Sequence, residues 1–176
     1  MKEIKSEKNE FLQNIRNTFE NFFGEDAKNK INLMNYLPED KWLEIKKVGL
    51  LLPFLAEKLG GHKPDQIELE ETLRIAGNYS VPTTLRTGIE GALVLQPLVA
   101  YATPELINEV LPLIFAGEGG GLGITEPETS GSAIAREMQS YYEVLDDNTI
   151  HVNAVKYWQG NSTSDFLLVA AKERKN

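Results

Sequence analysis

The period of the hydrophobic pattern changes once along the chain, near Gly117, and this change limits the folds that are available. Before it, apolar residues recur at three- and four-residue spacing, which is typical of amphipathic helices. After it, short segments rich in Val, Ile, Tyr and Phe are separated by polar turns, which is typical of strands. The sequence therefore predicts an α+β fold. An all-helical domain occupies residues 1–116, and the first strands of an incomplete antiparallel β-barrel or sandwich occupy residues 117–176.

The helical part carries local signals for where its helices begin and end. Apolar residues at helical spacing predict a first helix: Phe11, Ile15, Phe19 and Phe22. Gly24 follows at the position of a C-cap, and Pro38 is placed to open the next helix at its first turn. Thr103, followed by a proline and an acidic residue, predicts the start of the last helix.

The middle of the helical part leaves one question open. The segment IELEETLRIAGNYS predicts a helix that buries an apolar stripe: Ile67, Leu69, Leu73 and Ala76. The apolar segment at residues 83–101 then gathers the small residues Gly88, Gly91 and Ala92. Small side chains let a neighbouring helix pack closely, and they also leave room for a ligand chain. Helix packing is the simpler interpretation, and both stay open.

The composition excludes several kinds of site. The chain has no cysteine, so it forms no disulfide and has no thiolate for catalysis or metal binding. Its two histidines, His62 and His151, supply a serine triad or a histidine metal site poorly. We interpret each of them as a surface or packing residue. No metal ligand and no catalytic residue is assigned.

Charge and hydropathy indicate the setting of the protein. A net charge of −8 argues against general nucleic-acid binding, because phosphate contacts need a basic face. The segment MKEIKSEKNEFLQ lacks the apolar region of a secretory signal. The apolar stretch GALVLQPLVAYA is too short to span a membrane and is interrupted by Gln96 and Pro97. We expect a cytoplasmic protein with no membrane span and no nucleic-acid partner.

The segment GEGGGLGITEPETSGSAIA, residues 117–135, combines six glycines with small hydroxyl side chains. It lacks the glycine spacing of a dinucleotide fingerprint and the Gly-Lys-Ser/Thr of a Walker A loop. Ser132 follows Gly131 directly, unlike the serine of a G-x-S-x-G elbow. The pattern predicts a cradle of backbone N–H groups and hydroxyls without naming its ligand.

Trp158 lies in a polar, glycine-containing turn at the end of a predicted strand, within KYWQGNSTSDFLLVAA. One interpretation is that the indole caps a sheet edge. The other is that its flat face packs beside a flat, hydrogen-bonding cofactor ring held between this turn and the glycine-rich segment.

In their order along the chain, these segments resemble the N-terminal half of the flavin-dependent acyl-CoA dehydrogenases. ITEPETSGSA, residues 124–133, is similar to the family's T-E-P-G-x-G-S-D segment. KYWQGNS, residues 156–162, is similar to its K-x-W-I-T-N-G turn, and SDFLLVAAK to the strand that follows. Upstream, KKVGLLLPFLAEKLGG resembles the Gly- and Pro-containing crossing of the family's helical domain.

The resemblance implies an FAD site at positions that match the two motifs: Leu122, Ile124, Thr125, Ser132, Trp158, Gln159 and Gly160. Leu122, Ile124 and Thr125 would lie against the flavin, with the Thr125 hydroxyl bonded to its pyrimidine edge. Ser132 would face both FAD and the acyl-CoA substrate. Trp158 would stack beside the ring.

The resemblance also implies an activity, the α,β-dehydrogenation of an acyl-CoA thioester to a 2-enoyl-CoA. FAD is the hydride acceptor, and an electron-transfer flavoprotein is the next acceptor. The family's catalytic base is a glutamate of a C-terminal helical bundle that these 176 residues do not match. We therefore expect the chain alone to bind FAD weakly or not at all and to show no turnover. Its open strand edge predicts a homo-oligomer.

Two departures from the family pattern keep alternatives open. Ala133 stands in place of the aspartate of G-S-D, and Gly160 in place of the threonine of W-I-T. These changes allow a non-catalytic interaction or acyl-binding module on the same scaffold. A plain helical domain whose glycines merely turn the chain is a third interpretation.

Overall fold

The computed structural model describes residues 2–24, 38–62, 66–129, 133–145, 149–161 and 164–174. The chain divides into two compact units, Met1–Glu118 and Gly119–Asn176. The first is helical and the second holds the strands, which confirms the predicted α+β class. The predicted boundary lies after residue 116, and the division between the units falls after residue 118.

Helices make up most of the described part of the first unit. They are α1 (Lys2–Phe23), α2 (Glu39–Lys47), α3 (Gln66–Tyr79), α4 (Val81–Gly88), α5 (Gln96–Tyr101) and α6 (Pro104–Ala116). The irregular crossing between α2 and α3 contains two short 3-10 turns, Leu52–Phe54 and Glu57–Leu59. A π-helical segment, Ile89–Leu95, joins α4 to α5.

Local side-chain chemistry sets several helix ends. The Ser80 hydroxyl caps α4 by accepting a hydrogen bond from the Thr83 N–H. The Thr103 hydroxyl caps α6 in the predicted way, accepting from the Leu106 N–H at 3.3 Å. Gly117 ends α6 with φ at 118°, a left-handed conformation that favours glycine.

The core of the helical unit is formed largely by α1, α2 and α3. Its fully buried side chains are Ile15, Phe19, Phe23, Trp42, Ile45, Leu50, Ile75 and Ala76. The Phe19 ring centroid lies 5.4 Å from that of Phe23 and 5.8 Å from that of Tyr79. Burying a large apolar side chain contributes about 1.5–3 kcal/mol, so this cluster is a main source of the unit's stability. The predicted α1 stripe is correct for Ile15 and Phe19. Phe11 and Phe22 are only partly buried against the cluster, and the fully buried Phe23 was not predicted.

The predicted buried stripe of α3 is correct at Ala76, which is fully buried, but it is rotated away from the face that is buried. Ile67 begins the predicted stripe, yet it is 73% exposed. The buried face instead carries Glu68, Thr72, Ile75, Ala76 and Tyr79. These positions have helical spacing, but the first two are polar, and the Glu68 carboxylate contacts the His62 imidazole at 2.5 Å. A stripe traced through apolar residues alone therefore misplaces the rotation of the helix.

The close packing expected of the small residues in the 83–101 segment is found at Gly91. A Cβ at Gly91 would lie 2.5 Å from carbons of the Phe54 ring, so the ring packs directly on the glycine backbone. At Gly88, no described heavy atom outside its own helix lies within 4 Å of the Cβ position. The space at Gly91 is thus filled by the protein's own ring, which supports helix packing over a ligand chain there.

The second unit contains short strands and one short helix within its described residues. They are β1 (Gly120–Gly123), α7 (Ile134–Glu137), β2 (Tyr141–Val144), β3 (Ile150–Asn153), β4 (Phe166–Val169) and β5 (Lys172–Glu173). β1 pairs with β4 in parallel, and β2 lies between antiparallel β3 and parallel β5. The pairing is therefore mixed rather than antiparallel throughout. Parallel partners are distant in sequence, so local turn signals do not reveal them.

Strand β1 lies inside the glycine-rich segment and was not predicted. Glycine is depleted in strands, so a run of glycines is normally interpreted as a loop. Here the extended conformation comes from pairing with β4, in which Gly120 stands opposite Phe166 and Gly123 opposite Val169.

Candidate functional site

Two segments of the second unit meet side by side, and both carry predicted site residues. We call residues 122–126 the Thr125 bend and residues 156–161 the Trp158 turn. Leu122 and Gly160 form an antiparallel bridge. The Tyr157 N–H donates to the Thr125 carbonyl oxygen at 2.9 Å. The two sequence motifs are therefore in direct contact.

Two glycines of β1 allow the Trp158 turn to approach. A Cβ at Gly121 would lie 2.6 Å from Cδ2 of Leu167 and 2.7 Å from the Asn161 carbonyl oxygen. A Cβ at Gly123 would lie 3.3 Å from Cγ of Lys156. At these two positions the glycines accommodate the protein's own chain. The ligand cradle expected of the whole glycine-rich segment stays a prediction.

Trp158 is an unusual residue within the turn. Its φ is 57°, in the left-handed region that bulky residues rarely adopt, and its side chain is 89% exposed. Residues held in such sparsely populated conformations cluster at binding and catalytic sites. The exposed indole offers a large apolar face to a ligand.

A depression lies against the Trp158 turn. Its volume is about 550 Å³, and it is lined by Lys156, Tyr157, Trp158 and Gln159. Small-molecule sites typically measure ~300–1,000 Å³ and combine aromatic surface with a few polar groups. The Gln159 amide is held in the turn, since its Nε2 donates to the Lys156 carbonyl at 3.3 Å. This lining suits a flat ring with hydrogen-bonding edges.

Both ends of the Trp158 turn are held by side chains. Before Trp158, Lys156 Nζ donates to Glu126 Oε1 at 2.8 Å. After it, Asn161, itself at φ 56°, donates from its side-chain amide to the Gly120 carbonyl at 3.1 Å. A strained residue persists only when its surroundings fix it, and here contacts on both sides do so.

Glu126 carries a buried and fully engaged carboxylate. Its side chain is 2% exposed, and that of Lys156 is 3% exposed. The carboxylate also accepts hydrogen bonds from the backbone N–H groups of Gln139 and Ser140, at 2.5 and 2.8 Å. Burial acts to raise the pKa of this carboxyl, but the hydrogen bonds from these three partners outweigh it and lower the pKa to about 2. Glu126 therefore stays ionised at neutral pH, which is unsuitable for a general acid or base.

The predicted site residues within the described chain lie on these two segments: Leu122, Ile124, Thr125, Trp158, Gln159 and Gly160. Ile124 is 39% exposed, while Leu122 and Thr125 are half-buried. Ser132 lies outside the described residues. The proximity of the six residues is observed, and their role in binding a cofactor stays a prediction.

Sequence reasoning missed three residues that hold these segments together: Glu126, Lys156 and Asn161. The two motifs carry opposite charges, Glu126 and Glu128 in one and Lys156 in the other. This was a usable signal, because a charged side chain is almost never fully buried without a partner. That signal gives no indication of which charges pair, and only the contact between the two segments in the structure identifies the pair.

A separate charge cluster lies in the helical unit and consists of Glu39, Lys46, Arg86 and Glu90. Lys46 Nζ lies 3.2 Å from Glu90 Oε2 and donates to the carbonyls of Gly117 and Glu118 at 3.0 and 2.8 Å. Burial lowers the pKa of Lys46 and raises that of Glu90, in each case against the attraction between them. The cluster secures the end of α6.

The described residues offer few other sites. No helix among them is both long and apolar enough to cross a membrane. In the same parts of the chain, no group of three or more His, Cys, Asp or Glu residues is arranged to hold a metal ion.

Comparison with known proteins identifies relatives of both units. The family model described as acyl-CoA dehydrogenase, N-terminal domain, matches residues 5–118. Similar solved structures include butyryl-CoA dehydrogenase from Megasphaera elsdenii, glutaryl-CoA dehydrogenase from Mycobacterium smegmatis in complex with FADH2, and the electron transferring flavoprotein of Acidaminococcus fermentans. No curated protein sequence matches the chain significantly.

These three similarities are of fold. The Megasphaera protein is 19% identical with a TM-score of 0.79, and the match covers 93% of this chain and 43% of that one. The Mycobacterium enzyme is 21% identical with a TM-score of 0.81, and the match covers 95% of this chain and 42% of that one. The Acidaminococcus protein is 17% identical with a TM-score of 0.79, and the match covers 93% of this chain and 43% of that one. The chain thus spans less than half the length of each.

Proposed function

Because the chain belongs to the acyl-CoA dehydrogenase family, we propose that it is the N-terminal part of a flavin-dependent dehydrogenase and that its second unit supplies part of an FAD site. When bound, FAD supplies the hydride acceptor for the α,β-dehydrogenation of an acyl-CoA thioester to a 2-enoyl-CoA. This reaction is proposed for the complete protein.

One observation carries the FAD proposal. The Thr125 bend and the Trp158 turn are joined by a backbone hydrogen bond, and the turn presents an exposed indole at φ 57° beside a depression of about 550 Å³. Leu122, Ile124, Thr125, Trp158, Gln159 and Gly160 would hold the flavin, with Ser132 as a further predicted contact. The apolar and polar groups of these residues match the chemistry of an isoalloxazine ring, which has large apolar faces and hydrogen-bonding edges.

Three of these positions have roles that follow from their chemistry. The Trp158 indole provides apolar stacking surface and excludes water from one side of a ring. The Thr125 hydroxyl is a donor for a ring carbonyl or a reduced, negatively charged edge. Position 160 has no side chain, so a backbone N–H takes the place of a hydroxyl there.

The catalytic base is not assigned to any carboxylate of this chain. Glu126 is excluded because its carboxylate is buried and already accepts hydrogen bonds from Lys156, Gln139 and Ser140. The solved relatives are more than twice as long as the chain, which covers 42–43% of them. We propose that the base belongs to the part of the fold that these residues do not match, and that residues 1–176 alone bind FAD weakly or not at all and do not turn over.

Two partners follow from the same proposal. An electron-transfer flavoprotein is the proposed electron acceptor. A homo-oligomer is the second proposal, supported by β3, whose exposed Ile150 and Val152 lie on a strand that pairs only with β2 among the described residues.

A second candidate is a non-catalytic acyl-binding or interaction module on the same scaffold. Gly160 favours it, because its bridge to Leu122 fixes the backbone at a position that provides no hydroxyl for flavin chemistry. A flavin-free absorbance spectrum of the complete protein after reconstitution with FAD supports this module and contradicts the enzyme.

Titration of the 176-residue chain with FAD tests the leading proposal. Any FAD binding by this chain should appear as saturable quenching of tryptophan emission from Trp158, since Trp42 is fully buried in the other unit. Trp158→Ala should weaken FAD binding about tenfold, because an aromatic stacking contact contributes roughly 0.5–1.5 kcal/mol beyond the burial of area. Trp158→Phe should retain most of the affinity.

Tyr101→Ala is the matched control, since Tyr101 is another aromatic side chain that is 89% exposed, but it lies in the helical unit. It should leave FAD binding unchanged. Equal saturable binding by Trp158→Ala and the unmodified chain contradicts the proposed site. Bleaching of a bound flavin by acyl-CoA contradicts the expected inactivity of this part of the protein.

A further inference from the structure

We propose that Glu126 and Lys156 are positioning residues, and that their buried ion pair sets the orientation of the Trp158 indole by holding the turn on which it sits. The identity of the ligand rests on the proposed function, whereas the geometry of the turn is independent of it.

The carboxylate of Glu126 connects three segments of the second unit. It belongs to the Thr125 bend, it accepts from Lys156 Nζ of the Trp158 turn, and it accepts from the N–H groups of Gln139 and Ser140 just before β2. One side chain thus fixes the bend, the turn and the entry to a strand relative to each other.

Lys156 strengthens the same connection. Its Nζ donates to the Ile124 carbonyl at 3.3 Å in addition to the Glu126 carboxylate at 2.8 Å. Its aliphatic stem lies over Gly123, where a Cβ would come within 3.3 Å of Cγ. The ammonium group therefore holds the start of the turn against the bend at two oxygens.

The pair acts on Trp158 through the backbone. Trp158 follows Lys156 by two residues, and its φ of 57° is a conformation that a tryptophan leaves unless the chain on both sides is fixed. Asn161 fixes the far side through the Gly120 carbonyl. Before Trp158, the Tyr157 N–H bond to Thr125 is a single backbone contact. The ion pair adds the further restraint that keeps this side of the turn in place.

Neutralising both charges distinguishes a positioning role from a merely structural one, because the variant can stay folded while the environment of the Trp158 indole changes. A buried ion pair can often be replaced by uncharged side chains with little loss of stability, whereas removal of one partner leaves an uncompensated charge. The double variant Glu126→Gln with Lys156→Met should therefore fold. If the pair positions Trp158, the indole environment should stay altered in that folded protein.

Fluorine NMR of the full chain with 5-fluorotryptophan tests the proposal. The chain has two tryptophans, and Trp158→Phe assigns the resonances. Glu126→Gln and the double variant should both move or broaden the Trp158 resonance, while the Trp42 resonance stays in place and reports that the helical unit is folded. Glu128→Gln is the matched control, because Glu128 is an exposed carboxylate two residues away, and it should change neither resonance.

A Trp158 resonance that is the same in the unmodified chain and in the folded double variant overturns the proposal. Addition of FAD forms a second arm, in which the unmodified chain should bind at least tenfold more tightly than the double variant. If FAD binds the unmodified chain and leaves its Trp158 resonance unmoved, the proposed function fails. The comparison of the ligand-free variants still decides the positioning role.

Discussion

The backbone N–H of Tyr157 donates to the carbonyl oxygen of Thr125 at 2.9 Å. This bond joins two segments that lie about thirty residues apart in the sequence, and the bridge between Leu122 and Gly160 extends the contact. The exposed indole of Trp158 projects from the joined pair. A binding surface built from two held segments needs little reorganisation when a ligand arrives, which favours affinity.

Glu126 should make the stability of the second unit depend on acid pH. Its pKa is about 2 in the folded protein against an ordinary value of 4.5, so the folded state binds this proton less readily than the unfolded state. The stabilisation is complete above the unfolded pKa and is lost as pH falls from there through the folded pKa. Urea unfolding between pH 6 and pH 2 should show this loss.

Glu126→Gln removes the titrating group and should reduce the loss of unfolding free energy between pH 6 and pH 2. Glu128→Gln, at the exposed carboxylate nearby, should leave that loss as large as in the unmodified chain. An equal acid loss in the Glu126→Gln variant would mean that other groups carry the dependence.

Gly121→Ala should destabilise the contact between β1 and the Trp158 turn. The new methyl group meets the Leu167 side chain at 2.6 Å and the Asn161 carbonyl oxygen at 2.7 Å, and a backbone oxygen cannot move aside easily. We expect a loss of about 1–3 kcal/mol in the free energy of unfolding, which denaturant titration measures. Gly123→Ala is the milder partner, since its nearest contact is Cγ of Lys156 at 3.3 Å. Equal losses at both positions argue against this packing.

Gly91→Ala and Gly88→Ala should change stability in opposite directions. At Gly91 the methyl group overlaps the Phe54 ring at 2.5 Å, which predicts destabilisation of about 1–3 kcal/mol. Gly88 has ordinary helical φ and ψ of −63° and −41° and no described neighbour near its Cβ position. Alanine there should stabilise the helix by roughly 0.5–1 kcal/mol. Thermal unfolding of the two variants separates a packing role from a backbone-entropy effect.

Lys46→Met should cost about 3 kcal/mol or more in unfolding free energy. It leaves the buried Glu90 carboxylate with Arg86 alone and removes the donor to the carbonyls of Gly117 and Glu118. Lys47→Met, at the exposed neighbouring position, should change stability little. Similar effects of the two substitutions would show that the cluster around Lys46 is not a stabilising feature.

Local signals were sufficient to predict the helical unit except where polar residues are buried. The caps at Gly24 and Thr103 and the apolar spacing of α1 depend on neighbouring residues, so the sequence reveals them. The buried face of α3 was mispredicted, because Glu68 and Thr72 lie inside while Ile67 lies outside. Burial of those polar groups depends on contacts that no local pattern encodes.

In the second unit, the positions of the two motifs could be predicted from the sequence, but the strand and the ion pair that hold them in place could not. The resemblance located Thr125 and Trp158, and their segments are in contact. Strand β1 could not be predicted, since four residues with three glycines have no strand propensity of their own. The Glu126–Lys156 pair was missed for a similar reason, because the pairing of two charges thirty positions apart is a tertiary fact.

Hydrogen–deuterium exchange of the complete protein, with and without saturating FAD, tests whether the Thr125 bend and the Trp158 turn bind flavin. We expect added protection at both segments, and no such protection there with adenosine diphosphate, which lacks the isoalloxazine ring. Protection that appears equally with adenosine diphosphate, or that leaves both segments unchanged at saturating FAD, would contradict the claim that these segments form a flavin-binding surface.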